Sequence, residues 1–329
     1  MTGAGRGPAA PVRTTTPVVV ATGFGGPEVL TLVDAPLAAP GPGEVLVEVR
    51  AAGMNPGDWW SYGGHLGTDP ARLPLRLGLE ASGVVAAVGE RAVGPAGVVR
   101  VGDEVIAARI DGAYAGAVVA PAEAILPKPP ELSFPEAAAL VVSATTAVHA
   151  LEATGVTAGD VLVVHGASGG VGSMLVQMAV AAGARVIGTA GASGQAWLRA
   201  LGAEPVAYGD GLVERLRRLA PDGADAAIDA AGTDEAIAAS VALVADRRRI
   251  ATLAGFDTGR AAGIRLLGRV PGAEPGTEVR SRARLEVIGR ARAGRLAVRV
   301  ARTYPMDRVV TAHRQLASGH PDGKLVLVP

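Results

Sequence analysis

Between residues 161 and 190 the spacing of apolar positions changes twice. Val161, Leu162, Val163 and Val164 form a short unbroken apolar run, mostly β-branched, which predicts a strand buried on both faces. From Val171 the apolar positions recur at Leu175, Met178, Ala179 and Ala182, intervals of three and four that predict a helix. Gly183 is placed to close that helix, and 185–189 returns to a strand pattern. Strand, glycine turn, helix and strand make a βαβ unit with a right-handed crossover. The alternation continues, with helices predicted at 195–201, 212–219 and 234–244 and strands at 205–208, 226–229 and 249–253. Residues 263–267 read as one more strand at the edge. The class is therefore α/β, with a doubly wound parallel sheet over 141–270.

The flanking texture differs. Residues 17–140 are short strands between Gly/Pro turns, as in the alternating Val45 to Arg50, "GLEASGVVAAVG" and "VGDEVIAA". This is β-rich material of the barrel kind. Ser133 as N-cap and Pro135 in the first turn start the helix that opens the next region. After the loop "PGAEPGTE", helices at 282–293 and 306–317 and a strand at 324–328 form a last segment, 271–329.

Composition removes several classes of function. Lys plus Arg and Asp plus Glu both number 31, so no charge excess points to nucleic acid or an anionic membrane. The chain has no cysteine, which excludes disulfides and thiolate metal sites. Its histidines (65, 149, 165, 313 and 320) lack close metal-ligand spacing, so no metal is expected. His165, ending a buried strand, reads as a structural histidine with its hydrogen bonds satisfied. No run approaches the ~20 apolar residues of a membrane span. Residues 1–16 read as a disordered tail without a signal peptide's apolar core, and a cytoplasmic protein is expected.

The candidate chemistry begins at Gly166-Ala167-Ser168-Gly169-Gly170-Val171-Gly172. Glycines here permit a tight turn and close approach of the backbone, and the helix that follows offers free N–H groups to a pyrophosphate. With strand before and helix after, the turn predicts dinucleotide binding. The end of the second strand, Thr189-Ala190-Gly191, lacks the acid that an NAD-type site places on the ribose, which favours NADPH. Arg247-Arg248-Arg249 precedes its strand, and so belongs at the sheet's far end as a solvated face.

The stretches "AAGMNPGD", "LGLEASGVV", "VGDEVIA", "LSFPEAAAL", "TAVHAL", "VLVVHGASGGVG", "RVIGTA", "LRALGAE" and "GHPDGKLVLV" occur in order from about residue 17 to 329. In these the chain resembles the zinc-independent, zeta-crystallin-like quinone oxidoreductases among the medium-chain dehydrogenases/reductases. The resemblance implies a GroES-like catalytic domain (17–140, completed by 271–329) around a Rossmann domain. It also implies NADPH and hydride transfer to a quinone or α,β-unsaturated carbonyl between the domains. Thr146 falls where the family places a Thr near the nicotinamide, although a helix Thr can simply bond its own preceding turn. Tyr208 matches a Tyr near the adenosine phosphate, while Gly194 stands where relatives carry a Lys. Ala254, Gly255 and Phe256 follow the fifth Rossmann strand and should border the cleft. Asn55 matches the Asn that lines the catalytic cleft, and Asp58 an acid that holds its loop. Trp60 replaces a Tyr and Tyr62 an Arg of several relatives, so Tyr62, His65 or water is left as proton source, with Tyr62 equally readable as core filler. An enoyl-thioester reductase and a non-catalytic NADPH-binding protein are the alternatives. Relatives pair the 263–267 edge across a two-fold axis, which implies a homodimer.

Overall fold

The computed structural model describes residues 14–319 and 321–329. Residues 1–13 of the expected tail and His320 lie outside the described residues. Thr15 and Thr16 already belong to a strand, Thr15–Ala21, paired antiparallel with Leu30–Pro36.

Six parallel strands form one sheet, in the spatial order Glu204–Val206, Arg185–Thr189, Val161–His165, Ala226–Asp229, Ile250–Thr252, Arg265–Leu266. Strand alternation divides its side chains between two apolar layers. Leu162, Val164, Val186 and Ile228 pack with the helices Val141–Thr154 and Gly170–Ala181 on one face. Val163, Ile187 and Ala227 pack with Leu212–Leu219 and Asp234–Leu243 on the other. Chain order reverses between Val161–His165 and Ala226–Asp229, which opens a crevice at the strands' carboxyl ends.

The β-rich part is a seven-stranded sheet around Glu44–Gly53, which pairs with Glu80–Val88, Ala117–Pro121 and the last strand, Lys324–Val328. Val326 opposite Gly53 and Leu327 opposite Ala52 bring the chain's end beside Asn55. Val300–Pro305, parallel to that last strand, was not legible in the sequence. It lies at the sheet edge and is largely exposed, so it carries no apolar alternation.

Two further expectations change. Residues 56–62, read as a loop, form a helix, Pro56–Tyr62, whose first turn is closed by Asp58 Oδ2 accepting from Asn55 N at 2.8 Å. Strand 263–267 is not a bare apolar edge, because Ile264, Leu266 and Leu267 are buried within the chain and Glu274 N donates to Leu266 O at 2.8 Å. Among the described residues no helix is long and apolar enough to cross a membrane.

Candidate active site

The glycine turn is built by close packing. Gly166 has φ +68°, a left-handed conformation, and a Cβ there would lie 3.1 Å from Ala230 C. A Cβ on Gly172 would fall 2.1 Å from Gly166 O, so the helix start sits directly on the turn. Gly169 differs: its φ is −72° and a Cβ would come no nearer than 3.3 Å, to Gly166 O. It is the N-cap of Gly170–Ala181 and offers no side-chain acceptor, so the helix presents its N-terminal amides to the crevice.

Above this turn lies a cleft in two adjoining lobes, of about 560 and 710 Å³, which share Trp60, Gly166, Gly169 and Ala254. Asn55, Thr146, Gly170, Val171 and Gly172 border the first lobe, and Ser168 and Phe256 the second. Trp60 meets Phe256 edge-on, with ring centroids 5.3 Å apart. Thr146 fills both of its expected places, since it borders the cleft while its Oγ1 donates to Val142 O at 2.7 Å.

Other predicted cofactor residues do not border either lobe. Ala167 and Ala190 are buried, and Thr189 Oγ1 accepts from Gly166 N at 3.2 Å, tying the turn to the second strand. Gly255 N donates at 2.9 Å to Thr252 Oγ1, which itself donates to buried Asp229. Tyr208, about half exposed, stands over Gly191, where a Cβ would come 3.4 Å from its hydroxyl. Gly194 lacks a side chain for a packing reason: a Cβ would lie 2.6 Å from Ser168 Cβ and 2.8 Å from Asp322 Oδ1. Of the arginine run, Arg248 is solvated, whereas Arg249 pairs with Asp160 at 2.6 Å and donates to Thr154 O and Gly155 O at a helix end.

Tyr62 is corrected as a catalytic candidate. It is fully buried, and its hydroxyl lies 2.9 Å from His313 Nδ1 in the core of the β-rich part. Burial also raises its pKa, which makes it a poorer acid. Asp58 is the hub beneath the cleft floor: its carboxylate accepts from Asn55 N, Tyr114 Oη and Gly78 N. Burial pushes its pKa up to about 6. His65 packs at a tilt against Trp59, ring centroids 4.9 Å apart, and borders the second lobe.

The residues missed from sequence are Lys324 and Glu80. Lys324 Nζ donates to Asn55 Oδ1 at 2.7 Å and to Glu80 Oε1 at 3.0 Å. Asn55 Nδ2 spends its hydrogens on Gly53 O at 3.2 Å and Glu80 Oε1 at 3.3 Å, and Glu80 Oε2 accepts from Val142 N at 2.9 Å. All three side chains are buried, and Lys324 and Asn55 line the first lobe. Gly170 is a glycine because Lys324 lies across it, with Cδ 2.6 Å from where a Cβ would be. The signal was present in the sequence as single charges inside the apolar strands "GLEASGVV" and "KLVLV".

His165 is not satisfied as expected. Its Nδ1 lies 3.5 Å from Thr189 Oγ1, and its buried Nε2 has no partner. Burial lowers its pKa from 6.5 to about 4. A group depressed in the folded state contributes stability fully above pH 6.5 and loses it as pH falls toward 4. His165→Leu is therefore expected to gain about 2 kcal/mol relative to wild type between about pH 8 and pH 5. Urea melts of both proteins at the two pH values measure this. His149 and His313 act in the same sense and Asp58 in the opposite one, but they are common to both proteins. An unchanged difference would mean that His165 titrates alike in the folded and unfolded chain.

Residues 41–130 match the profile described as alcohol dehydrogenase GroES-like domain, and 170–267 that of zinc-binding dehydrogenase. The quinone oxidoreductase of Lama guanicoe is 40% identical over 171 residues, 51% of this chain and 50% of that protein. The chain thus spans about half the length of the curated relatives it matches there. Two solved structures are each 31% identical at TM-score 0.80, covering 95% of this chain and 99% and 100% of theirs. One is a mycobacterial protein complexed with NADPH, the other an NAD-dependent alcohol dehydrogenase. Among the described residues no group of three or more His, Asp or Glu is placed to hold a metal ion. With relatives matched end to end on the same two-part fold, the chain belongs to the zinc-independent, quinone oxidoreductase-type family of medium-chain dehydrogenases/reductases.

Proposed function

We propose that this protein is an NADPH-dependent oxidoreductase that reduces a quinone or an α,β-unsaturated carbonyl compound. The carrying observation is that Asn55 and Lys324, both tied to buried Glu80, border the same lobe as a glycine turn that presents helix amides. The turn fits a dinucleotide because Gly169 leaves open the space a side chain would fill. Gly169, Gly170 and the first helical amides would hold the pyrophosphate, Thr146 and Ala254 the nicotinamide end, and Gly191 and Tyr208 the adenosine end. The neutral second-strand end supports NADPH over NADH.

A bound reduced nicotinamide supplies a hydride. Addition of hydride to an enone's β-carbon moves an electron pair onto the carbonyl oxygen, which then needs a hydrogen-bond donor. Asn55 has no hydrogen to spare, since both amide hydrogens are engaged. Lys324 has three donors and two acceptors assigned, so its remaining N–H is the donor at the oxyanion. Glu80 Oε1, 3.0 Å from Nζ, holds that ammonium in place. The α-carbon then takes a proton from water, with His65 at the second lobe able to relay it. Trp60 and Phe256 form an apolar wall suited to a conjugated ring or chain.

Screening NADPH oxidation against 1,4-benzoquinone, alkenals, enones and crotonyl thioesters tests this function. Turnover of at least one class, undiminished by exhaustive chelation, is expected; NADPH binding with no turnover across the panel would favour a non-catalytic role, and loss of turnover on chelation a metal mechanism.

The protein is also proposed to be cytoplasmic and to form a two-fold dimer through strand 263–267. Because Glu274 already bonds Leu266, self-pairing has to include the Glu274 turn in the interface. Sedimentation is expected to show a dimer at micromolar concentration, reduced to monomer by Leu266→Pro. A wild-type monomer would remove the assembly.

A further inference from the structure

The lining of the first lobe carries an unbalanced charge. Arg72, Arg76, Arg269 and Arg280 border it, and Arg109 joins Arg280 by donating to Thr277 O at 3.3 Å, at the start of the helix that holds Arg280. None of the five has a carboxylate partner among the described residues. Two acids border the same lobe: Asp111, and Asp58, whose carboxylate is buried and committed to Asn55, Tyr114 and Gly78. Glu274 is taken by Arg265 at 2.7 Å. In a chain of zero net charge, such clustering is a local arrangement and not a consequence of composition.

Arg280 is the anchored member. Its Nε and Nη2 lie 3.4 and 3.3 Å from Nδ1 of buried His149, one helical turn beyond Thr146. Burial, and then the neighbouring charges of Arg109 and Arg269, lower the Arg280 pKa to about 10. Burial and the Arg280 charge also hold His149 neutral, with a pKa of about 4, so it serves as an acceptor and adds no charge. Crowded guanidinium groups repel one another, and the repulsion is relieved when an anion sits among them. A guanidinium fork matches a carboxylate or phosphate in two parallel hydrogen bonds.

We propose that this arginine wall binds an anionic group of the substrate, so that the preferred substrates are α,β-unsaturated carbonyl compounds bearing a carboxylate or phosphate beyond the reacting end. This rests on the reductase function above and narrows it, since neutral quinones and enones offer the wall nothing to bind. A carboxylated enone and a phosphate-bearing thioester share this chemistry, and kinetics separate them.

The test compares kcat/KM for trans-3-benzoylacrylate with its methyl ester, and for crotonyl-CoA with crotonyl-N-acetylcysteamine, at ~20 and ~500 mM salt. At least one anionic substrate should exceed its neutral partner by about tenfold or more at low salt, with the ratio shrinking at high salt. The first pair reports a carboxylate, the second a phosphate. In Arg269→Met/Arg280→Met the anion-to-neutral ratio should fall toward one. Calorimetric titration with 3-benzoylpropanoate, its methyl ester and CoA supplies a readout independent of turnover. Binding of an anion that needs the arginines, without turnover of any compound, would support the wall and refute the reductase function. Equal, salt-insensitive turnover within both pairs, with no arginine-dependent binding, would refute the wall and leave the reductase standing. The wild-type salt dependence decides even if the double variant does not fold.

Discussion

Gly169→Val is expected to lower NADPH affinity by at least about 100-fold while leaving the protein folded. The backbone at Gly169, φ −72° and ψ 178°, suits a β-branched residue, and the nearest atom to a Cβ is Gly166 O at 3.3 Å. The fold therefore loses a weak N-cap, about 1 kcal/mol, and Gly166 O has to yield slightly to the new Cβ. The valine methyl groups, however, would stand in both lobes of the cleft, which Gly169 borders. They would keep a pyrophosphate from the helix amides, whose charge-assisted hydrogen bonds are each worth about 1.5–3 kcal/mol. Fluorescence titration with NADPH and a thermal melt separate the two effects. Gly172→Val is the contrasting case, since its Cβ position lies 2.1 Å from Gly166 O and the helix would have to move. If the Gly169 variant is folded and binds NADPH like wild type, the cofactor's phosphates lie elsewhere.

Lys324→Met is expected to lower both stability and turnover, by separable routes. Glu80 is fully buried, and its carboxylate oxygens accept from Lys324, Asn55 Nδ2 and Val142 N. Removing the ammonium leaves a buried carboxylate without a countercharge, a change that typically costs about 3–5 kcal/mol. Glu80→Gln in the same chain removes that charge, and the double variant should recover most of the lost stability. Turnover should not recover, because no donor is left to meet the developing oxyanion; loss of one such donor costs about 10²–10³-fold in kcat. Chemical denaturation and steady-state kinetics on wild type, the single variant and the double variant form the test. A double variant with restored stability and full kcat would reduce Lys324 to a structural ion pair.

The parallel sheet, its helices and the glycine turn were legible in sequence because each is specified locally. A run such as Val161–Val164 needs two apolar faces wherever it goes, and a helix such as 212–219 displays its period over adjacent residues. The helix Pro56–Tyr62 was read as a loop because it is short and opens with Pro-Gly, which is also how turns open. The exposed strand Val300–Pro305 was missed for want of any apolar alternation.

For the site, the sequence alone determined the chemistry of one side, a glycine turn between strand and helix with neutral residues at the second strand's end. Tertiary structure decided the other side. It turned Tyr62 inward to His313, consumed both amide hydrogens of Asn55, and set Lys324 against residues 244 and 269 positions away. Antiparallel pairing of the last strand with Glu44–Gly53 is what closes that distance. A charge in an apolar strand costs several kcal/mol unless a partner meets it, so Lys324 and Glu80 each announce that a partner exists. Which partner it is depends on register between strands far apart in sequence, and that register is set by packing of the whole β-rich core.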